Sequence, residues 1–258
     1  MAGRWCRAST AHCLRPLFSM DTARIAALLE PFLEQSLPSS QLDQISTYID
    51  LLLRWNARIN LTAVRHPEEI VTRHFGESFF LARHLFPASS KPCHPERSEG
   101  PASCLASRLP QGVLTAPLHP PRVLDIGSGA GFPALPLKLW APHIHLTLIE
   151  SNHKKAAFLR EVARALTLTN INVITDRAEV LAARPDFPQA DIVTLRAVEH
   201  FDAILPQAVT FLAPKGTVAL LITTPQVSQV LTLTKLRWQA QMNVPKSRSR
   251  VLLIGYKA

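Results

Sequence analysis

The sequence predicts an α/β fold: a seven-stranded parallel sheet with helices on both faces, preceded by a helical unit. Three observations predict it. From Arg122 onward, short apolar runs alternate with longer segments of helical period, the pattern of a sheet built from strand–helix units. Residues 21–85 instead carry the i, i+3, i+4 apolar spacing of amphipathic helices. At the start of the strand–helix region, the passage RVLDIGSGAGFPALP (Arg122–Pro136) takes an apolar run into a glycine-rich turn, and a second run, LTLIE, ends on Glu150. At 258 residues the chain can bury a substantial core and need hold only one sizeable domain. Its hydrophobic fraction of 47% is that of an ordinary globular protein. No apolar run reaches the roughly 18 residues of a membrane span.

In chain order, residues 1–19 stand apart. They hold Arg4, Arg7 and Arg15 and no acid, which fits either an organellar transit peptide or a start assigned upstream of a true Met20. Helical periodicity begins directly afterwards at Ile25, Leu28, Leu29, Phe32 and Leu33, opening an N-terminal helical unit over residues 20–86. Its second helix, Leu42–Trp55, carries Ile45, Tyr48, Ile49, Leu52 and Leu53 on one stripe. The segment RWNARINLTAVR then breaks the pattern with Asn56, Asn60 and Thr62, which suit caps and turns. A further helix is expected from Pro67 through Leu85, with Glu68 and Glu69 in its first turn. Arg54, Arg58, Arg65, Arg73 and His74 face either RNA or solvent.

Residues 87–121 are rich in Pro, Ser and Ala with no sustained period, and read as a disordered insertion. From residue 122 to 258 strands are expected at 122–126, 144–149, 171–175, 191–195, 217–223 and 250–257, with a weaker one near 238–243. Helices are expected at 133–140, 153–166, 201–212 and 225–235. The second of these puts Phe158, Leu159, Val162, Ala163 and Leu166 on an apolar face, with Lys154, Lys155, Arg160 and Arg164 largely elsewhere. Cys6, Cys13, Cys93 and Cys104 form no C-x-x-C pair, which argues against a zinc site or a disulfide framework and suits a reducing cytosol. The net charge of +9 favours a polyanionic partner, nucleic acid first, over a basic surface with no target.

The glycine turn carries the chemistry. Glycines let the backbone turn sharply and approach a ligand closely, and a carboxylate ending the next strand is placed for ribose hydroxyls. Together they imply an adenosine-bearing cofactor. A dinucleotide loop is spaced G-x-G-x-x-G. Here the third glycine comes one residue early, at Gly131, and Phe132 takes its place, where it would crowd a pyrophosphate. Asp125-Ile-Gly127-Ser-Gly129-Ala-Gly131 instead resembles motif I of class I S-adenosylmethionine-dependent methyltransferases. NAD binding and a purely structural turn are the other readings of this segment alone.

WNARINLTAVRHPEEIVTRHF, LDIGSGAGFPALPLKL, LIESNHKKAAFLREVARALTLTNINVI, RAEV and TLRAV occur in that order. Jointly they resemble the bacterial small-subunit ribosomal RNA guanine-N7 methyltransferase family, also called glucose-inhibited division protein B. The resemblance covers roughly residues 25–85 and 122–257. It implies a Rossmann-like, seven-stranded class I methyltransferase sheet with an N-terminal helical extension. It also implies methyl transfer from S-adenosylmethionine to N7 of a guanine in 16S rRNA, by a cytoplasmic monomer that acts on 16S rRNA or the small ribosomal subunit, with no metal and no membrane. The family pattern places cofactor contacts at Gly127, Phe132, Ala178, Glu179 and Arg196, and Glu150 on the ribose, with Asp125, Gly129 and Gly131 shaping the loop. The other readings are core packing for Phe132, a helix-start acid for Glu179 and a surface cation for Arg196.

Guanine N7 has a free lone pair, so its methylation needs alignment rather than proton removal, and no general base is expected. The position where amine methyltransferases carry N/D-P-P-Y/F reads Leu195-Arg196-Ala197-Val198, and no cysteine follows Cys104 to serve C5 chemistry. Arg196 is therefore a positioning candidate only. The chain departs from the family where Ala134 replaces a glycine, where Glu77 is the acid of the H-x₂-D-S stretch, and where Thr223-Thr224 stand in place of a Leu-Lys-Gly ending. Lys246, Arg248 and Arg250 form a basic cluster that either grips phosphate or tips a solvated hairpin. Two further functions remain open: a methyltransferase with another RNA, protein or small-molecule acceptor, and a non-catalytic RNA- or ribosome-binding protein that keeps the fold.

Overall fold

The structure is a computed structural model that describes residues 20–87, 119–196, 201–233 and 236–257. The expectations for residues 1–19, for 88–118 of the insertion, and for Ala197 and Val198 lie outside the described residues.

The N-terminal unit comprises α1 (Thr22–Leu29), a 3₁₀ turn (Glu30–Phe32), α2 (Ser39–Asn56), α3 (Pro67–Ile70), a π-helical stretch (Val71–Gly76) and α4 (Glu77–Leu85). The last three run on as the single helix expected over 67–85, with one wide turn inside it. Asn56 closes α2: its Oδ1 accepts from the Leu61 and Thr62 amides and its Nδ2 donates to the Thr62 carbonyl. One buried amide thus organises the whole NLT turn, the capping role that its residue type suggests.

The sheet follows as β1 (Arg122–Ile126), β2 (His145–Ile149), β3 (Ile171–Ile174), β4 (Ala190–Arg196), β5 (Leu212–Thr223), β6 (Arg237–Trp238), β7 (Met242–Asn243) and β8 (Arg250–Tyr256). Helices α5 (Ala134–Trp140), α6 (His153–Ala165), α7 (Ala178–Ala182), α8 (Phe201–Thr210) and α9 (Thr224–Leu233) connect the strands. Strand order is β3-β2-β1-β4-β5-β8-β6, with β7 also paired to β8. The first five strands are parallel, and β1 lies between β2 and β4, so the chain reverses direction across the sheet at β1. Ligands in such sheets bind at the carboxyl ends of the strands beside that reversal.

Several expectations need correction. β8 runs antiparallel to β5, so the sheet is not wholly parallel, and the weak strand near 238–243 is two dipeptides that pair with different parts of β8. The helix expected over 201–212 ends at Thr210, and β5 starts at Leu212 rather than 217. The early part of β5 pairs only at Ala190↔Leu212, before a register shift and a left-handed Lys215 (φ 62°). Helix α7 is missing from the expected helices, though a helix-start acid is one reading of Glu179; five residues are too few to show a period, although Ala178 and Leu181 are buried.

Alternate residues along each strand feed two cores. Val123, Leu146, Leu148, Ile192, Leu221 and Leu252 pack with α5, α6 and the N-terminal helices in one cluster. Leu124, Ile126, Val193, Leu195, Leu220 and Leu253 pack with α7, α8 and α9 in the other. The N-terminal unit therefore shares a core with one face of the sheet. A polar stripe on α2 sets its register there. Gln41 donates to the Leu139 carbonyl, Gln44 to that of Leu166, Tyr48 to that of Ala130, and the Trp55 indole to Glu161. These positions are spaced three, four and seven apart, which keeps them on one side of a helix.

Candidate functional site

The glycine loop sits at the carboxyl end of β1. Gly127, Gly129 and Gly131 all have left-handed backbone (φ 70°, 53° and 86°), which explains why three glycines occupy alternate positions. The Gly127 and Ser128 amides donate to the Ile149 carbonyl, pinning the loop to the end of β2. The side of Gly129 is open: a Cβ there would meet only the Gly127 carbonyl oxygen, at 3.7 Å. Gly131 is the opposite case, since a Cβ would run into the Tyr48 hydroxyl and come within 2.6 Å of Leu135. One face of the loop is bare backbone and the other is packed.

Glu150, the next residue after β2, is buried and bridges two segments. Its Oε2 accepts from the Gly129 amide at 2.7 Å and its Oε1 from the Asn152 amide at 2.8 Å. Each oxygen keeps a second lone pair, so a hydroxyl donor can still be bound. Asn152 then caps α6 by accepting from the Lys154 and Lys155 amides. Asp125 lies inside the loop's base, fully buried. Its Oδ1 accepts from the Thr194 hydroxyl at 2.6 Å, and its Oδ2 has no partner among the described residues. Burial pushes its carboxyl up to about 7, against the pull of the Thr194 hydrogen bond, of the neighbouring Ser128 hydroxyl and of Arg196.

Arg196, the last residue of β4, is not a surface cation: its side chain is 6% exposed. Its Nη2 donates to the Arg73 carbonyl (2.7 Å) and to His74 Nδ1 (2.9 Å). Those two bonds use both hydrogens, so Glu77 Oε2, at 3.0 Å, completes an ion pair without an aligned hydrogen bond. Nη1 has no partner among the described residues. Burial lowers Arg196 to about 10, partly offset by Glu77, with Arg250 and Arg73 lowering it further; it stays charged at neutral pH.

His74 is held from both sides. Because Arg196 donates to Nδ1, the proton must sit on Nε2, which donates to Thr62 Oγ1 at 2.8 Å. Burial, then Arg196, Arg73 and Arg250, depress its pKa to about 3, so it is neutral. The imidazole stacks on Phe132 at 4.7 Å, and Tyr48 stacks on the same ring at 5.2 Å. Phe132 is thus packed between two rings from the helical unit directly after the loop. His74 is half-buried, its ring engaged by Arg196, Thr62 and Phe132, whereas Arg54, Arg58, Arg65 and Arg73 are exposed.

The structure brings Asp125, Gly127, Gly129, Gly131, Phe132, Glu150 and Arg196 together at the carboxyl edge of the sheet. Ala178 and Glu179 start α7 on the same edge, after β3, with Ala178 buried and Glu179 exposed. Ala134 is fully buried in the first turn of α5. Thr224 ties to the Ser249 carbonyl through its amide and its hydroxyl, joining the end of β5 to the turn before β8. Sequence reasoning missed Tyr48 and Thr62 as site neighbours. The hydroxyl in an otherwise apolar stripe was the available signal for Tyr48. Among the described residues no group of three or more His, Cys, Asp or Glu could hold a metal, and no helix is long and apolar enough to cross a membrane.

The groups at this edge suit the parts of S-adenosylmethionine. The bare backbone at Gly129 offers close approach, and Glu150 offers acceptor lone pairs. The unpartnered Arg196 Nη1 offers a buried cation for a carboxylate.

Sequence comparison with known proteins places the chain in a methyltransferase family. A family model described as rRNA small subunit methyltransferase G matches residues 41–92 and 113–249. The Ribosomal RNA small subunit methyltransferase G of Roseiflexus castenholzii is 37% identical over 188 residues, 70% of this chain and 67% of that protein. Its Bacillus subtilis counterpart is 32% identical over 170 residues, 66% of this chain and 59% of that protein. The chain thus spans about two thirds of the length of the curated relatives it matches, or somewhat less. Among solved structures, ribosomal protein L11 methylase from Lactobacillus delbrueckii subsp. bulgaricus is 21% identical. That match covers 55% of this chain and 73% of that one, with a TM-score of 0.45.

Proposed function

The chain belongs to the rRNA small subunit methyltransferase G family, and on that premise we propose that it moves the methyl group of S-adenosylmethionine to N7 of a guanine in small-subunit ribosomal RNA. The observation that carries the cofactor half is the open glycine loop set between Glu150 and Arg196. The acceptor half rests on family membership and on a net charge of +9, which suits a polyanion.

When bound, the cofactor supplies an electrophilic methyl carbon on a sulfonium. In the transfer, the N7 lone pair forms the new C–N bond as the S–C bond breaks, and the positive charge passes from sulfur to the base. No proton moves, so the chain's task is alignment and exclusion of water. Glu150 would hold the ribose hydroxyls, being itself fixed by its bonds to Gly129 and Asn152. Arg196, whose Nη1 has no partner among the described residues, would take the methionine carboxylate. Its Nη2 is anchored by Arg73 and His74, and neutral His74 adds no second charge beside it. Phe132, clamped between His74 and Tyr48, sets the wall behind the loop. Gly127 would let the backbone approach the ligand, and Ala178 and Glu179, at the start of α7, would be further cofactor contacts. On this reading the partner is 16S rRNA or the small ribosomal subunit in the cytoplasm, and the protein acts as a monomer without a metal.

The test is methyl transfer in vitro. Purified protein, labelled S-adenosylmethionine and unmethylated small subunits are expected to yield label in 7-methylguanosine after nucleoside digestion. Label in another nucleoside, or in ribosomal protein, overturns the acceptor assignment. Absence of cofactor binding by calorimetry overturns the enzyme assignment and favours a non-catalytic binding protein.

A further inference from the structure

A cleft of about 680 Å³ opens between the turn Pro245–Arg250 and the π-helical stretch Val71–Gly76. Four cations line it: Arg73, Lys246, Arg248 and Arg250. Of its two acids, Glu77 is already engaged by Arg196, leaving Glu30. Arg73 shares its charge with Glu69 at 2.6 Å. Among the described residues, the three cations of the turn have no carboxylate within ion-pair distance.

The turn is a fixed frame. The Val244 amide donates to the Arg250 carbonyl, the Ser247 amide to the Val244 carbonyl, and the Arg250 amide to Ser247 Oγ. Val244 is buried, and Lys246 occupies the left-handed region (φ 58°) that closes the turn. The end of β5 is tied to it through Thr224 and Ser249, and Arg250 stands across the ladder from Thr223. The cleft therefore lies at the carboxyl edge of the sheet. It also touches the site: Arg73 accepts from Arg196, and Arg73 and Arg250 both act electrostatically on Arg196 and His74. Like charges gathered on a rigid turn repel one another, and an anion in the cleft relieves that cost. A frame already ordered also loses little entropy when it binds.

We propose that this cleft grips the phosphate backbone of the RNA strand that carries the methyl acceptor, with Lys246 and Arg248 as the outer contacts and Arg73 as the inner one. The proposal rests on the ribosomal RNA reading above and adds where that RNA is held. Each phosphate contact contributes about 0.7 to the salt slope of log K on single strands and about 0.9 on duplex.

The experiment measures binding of the full chain to protein-free small-subunit rRNA across a salt series, beside calorimetry with S-adenosylmethionine. The variant K246Q/R248Q is expected to bind RNA on the order of tenfold more weakly, with a slope smaller by about 1.4 to 1.8. Its cofactor affinity is expected to match the parent protein. K154Q/K155Q, on the basic side of α6, is the control and is expected to keep RNA affinity and slope. The proposal is overturned if K246Q/R248Q retains both, or if the α6 variant loses as much. If the parent protein itself binds the cofactor but no small-subunit RNA, the ribosomal reading fails instead.

Discussion

Replacing Gly131 by alanine tests the contact between the helical unit and the cofactor loop. Gly131 sits at φ 86°, and an alanine held there costs on the order of 1–3 kcal/mol. The new Cβ also meets the Tyr48 hydroxyl and lies 2.6 Å from Leu135 Cδ1. Overpacking of that kind adds about 1–3 kcal/mol. Gly131→Ala is thus expected to lose about 2–6 kcal/mol of stability, read as a lower urea midpoint at unchanged slope. Tyr48→Phe removes the nearest clashing atom but leaves the buried Ala130 carbonyl without its 2.5 Å donor, costing about 1–3 kcal/mol alone. Because one oxygen is the obstacle in the first variant and the loss in the second, the double variant should fall short of the summed cost by about 1 kcal/mol. Calorimetry is expected to show weaker S-adenosylmethionine binding by Gly131→Ala. A Gly131→Ala protein within about 0.5 kcal/mol of the parent, or strictly additive costs, would refute this account of the loop.

Three more outcomes follow from the site. Glu77→Ala leaves the Arg196 guanidinium buried without its carboxylate, and chemical denaturation should show a loss of about 3–5 kcal/mol; a loss below about 1 kcal/mol would mean that the pair is not buried as described. Asp125, raised to about 7 from 3.8, contributes stability that is full below about pH 3.8 and lost as pH rises through about 7. Asp125→Asn should therefore gain on the parent protein between about pH 4 and 7 in urea unfolding and level off above that, and curves parallel across that window would contradict it. His74, lowered to about 3 from 6.5, contributes stability present above about pH 6.5 and lost as pH falls toward 3. His74→Gln should flatten that acid limb, and an unchanged limb would place the titration elsewhere.

Much of the fold could be read from the chain because its signals are local. The glycine loop is legible since left-handed backbone at three alternate positions demands glycine. The helix after Asn152 shows both its cap and its apolar face within a few residues. Strand direction is not local, so a hydrophobic run at 250–256 looks the same parallel or antiparallel. Helix α7 has too few residues for a period. The candidate site could be proposed from sequence where a motif carries it, at Gly127–Phe132 and Glu150. Its support could not: Tyr48 reaches a carbonyl 82 residues away, and Arg196 meets His74 across 122. Such pairs are created by packing, and in sequence Tyr48 looks like one more core residue.

The most direct test of the central claim is a map of 7-methylguanine in small-subunit ribosomal RNA from cells with and without this gene. One modified guanine is expected to be present with the gene, absent without it, and restored by the intact chain. An identical map in both cells would contradict the account.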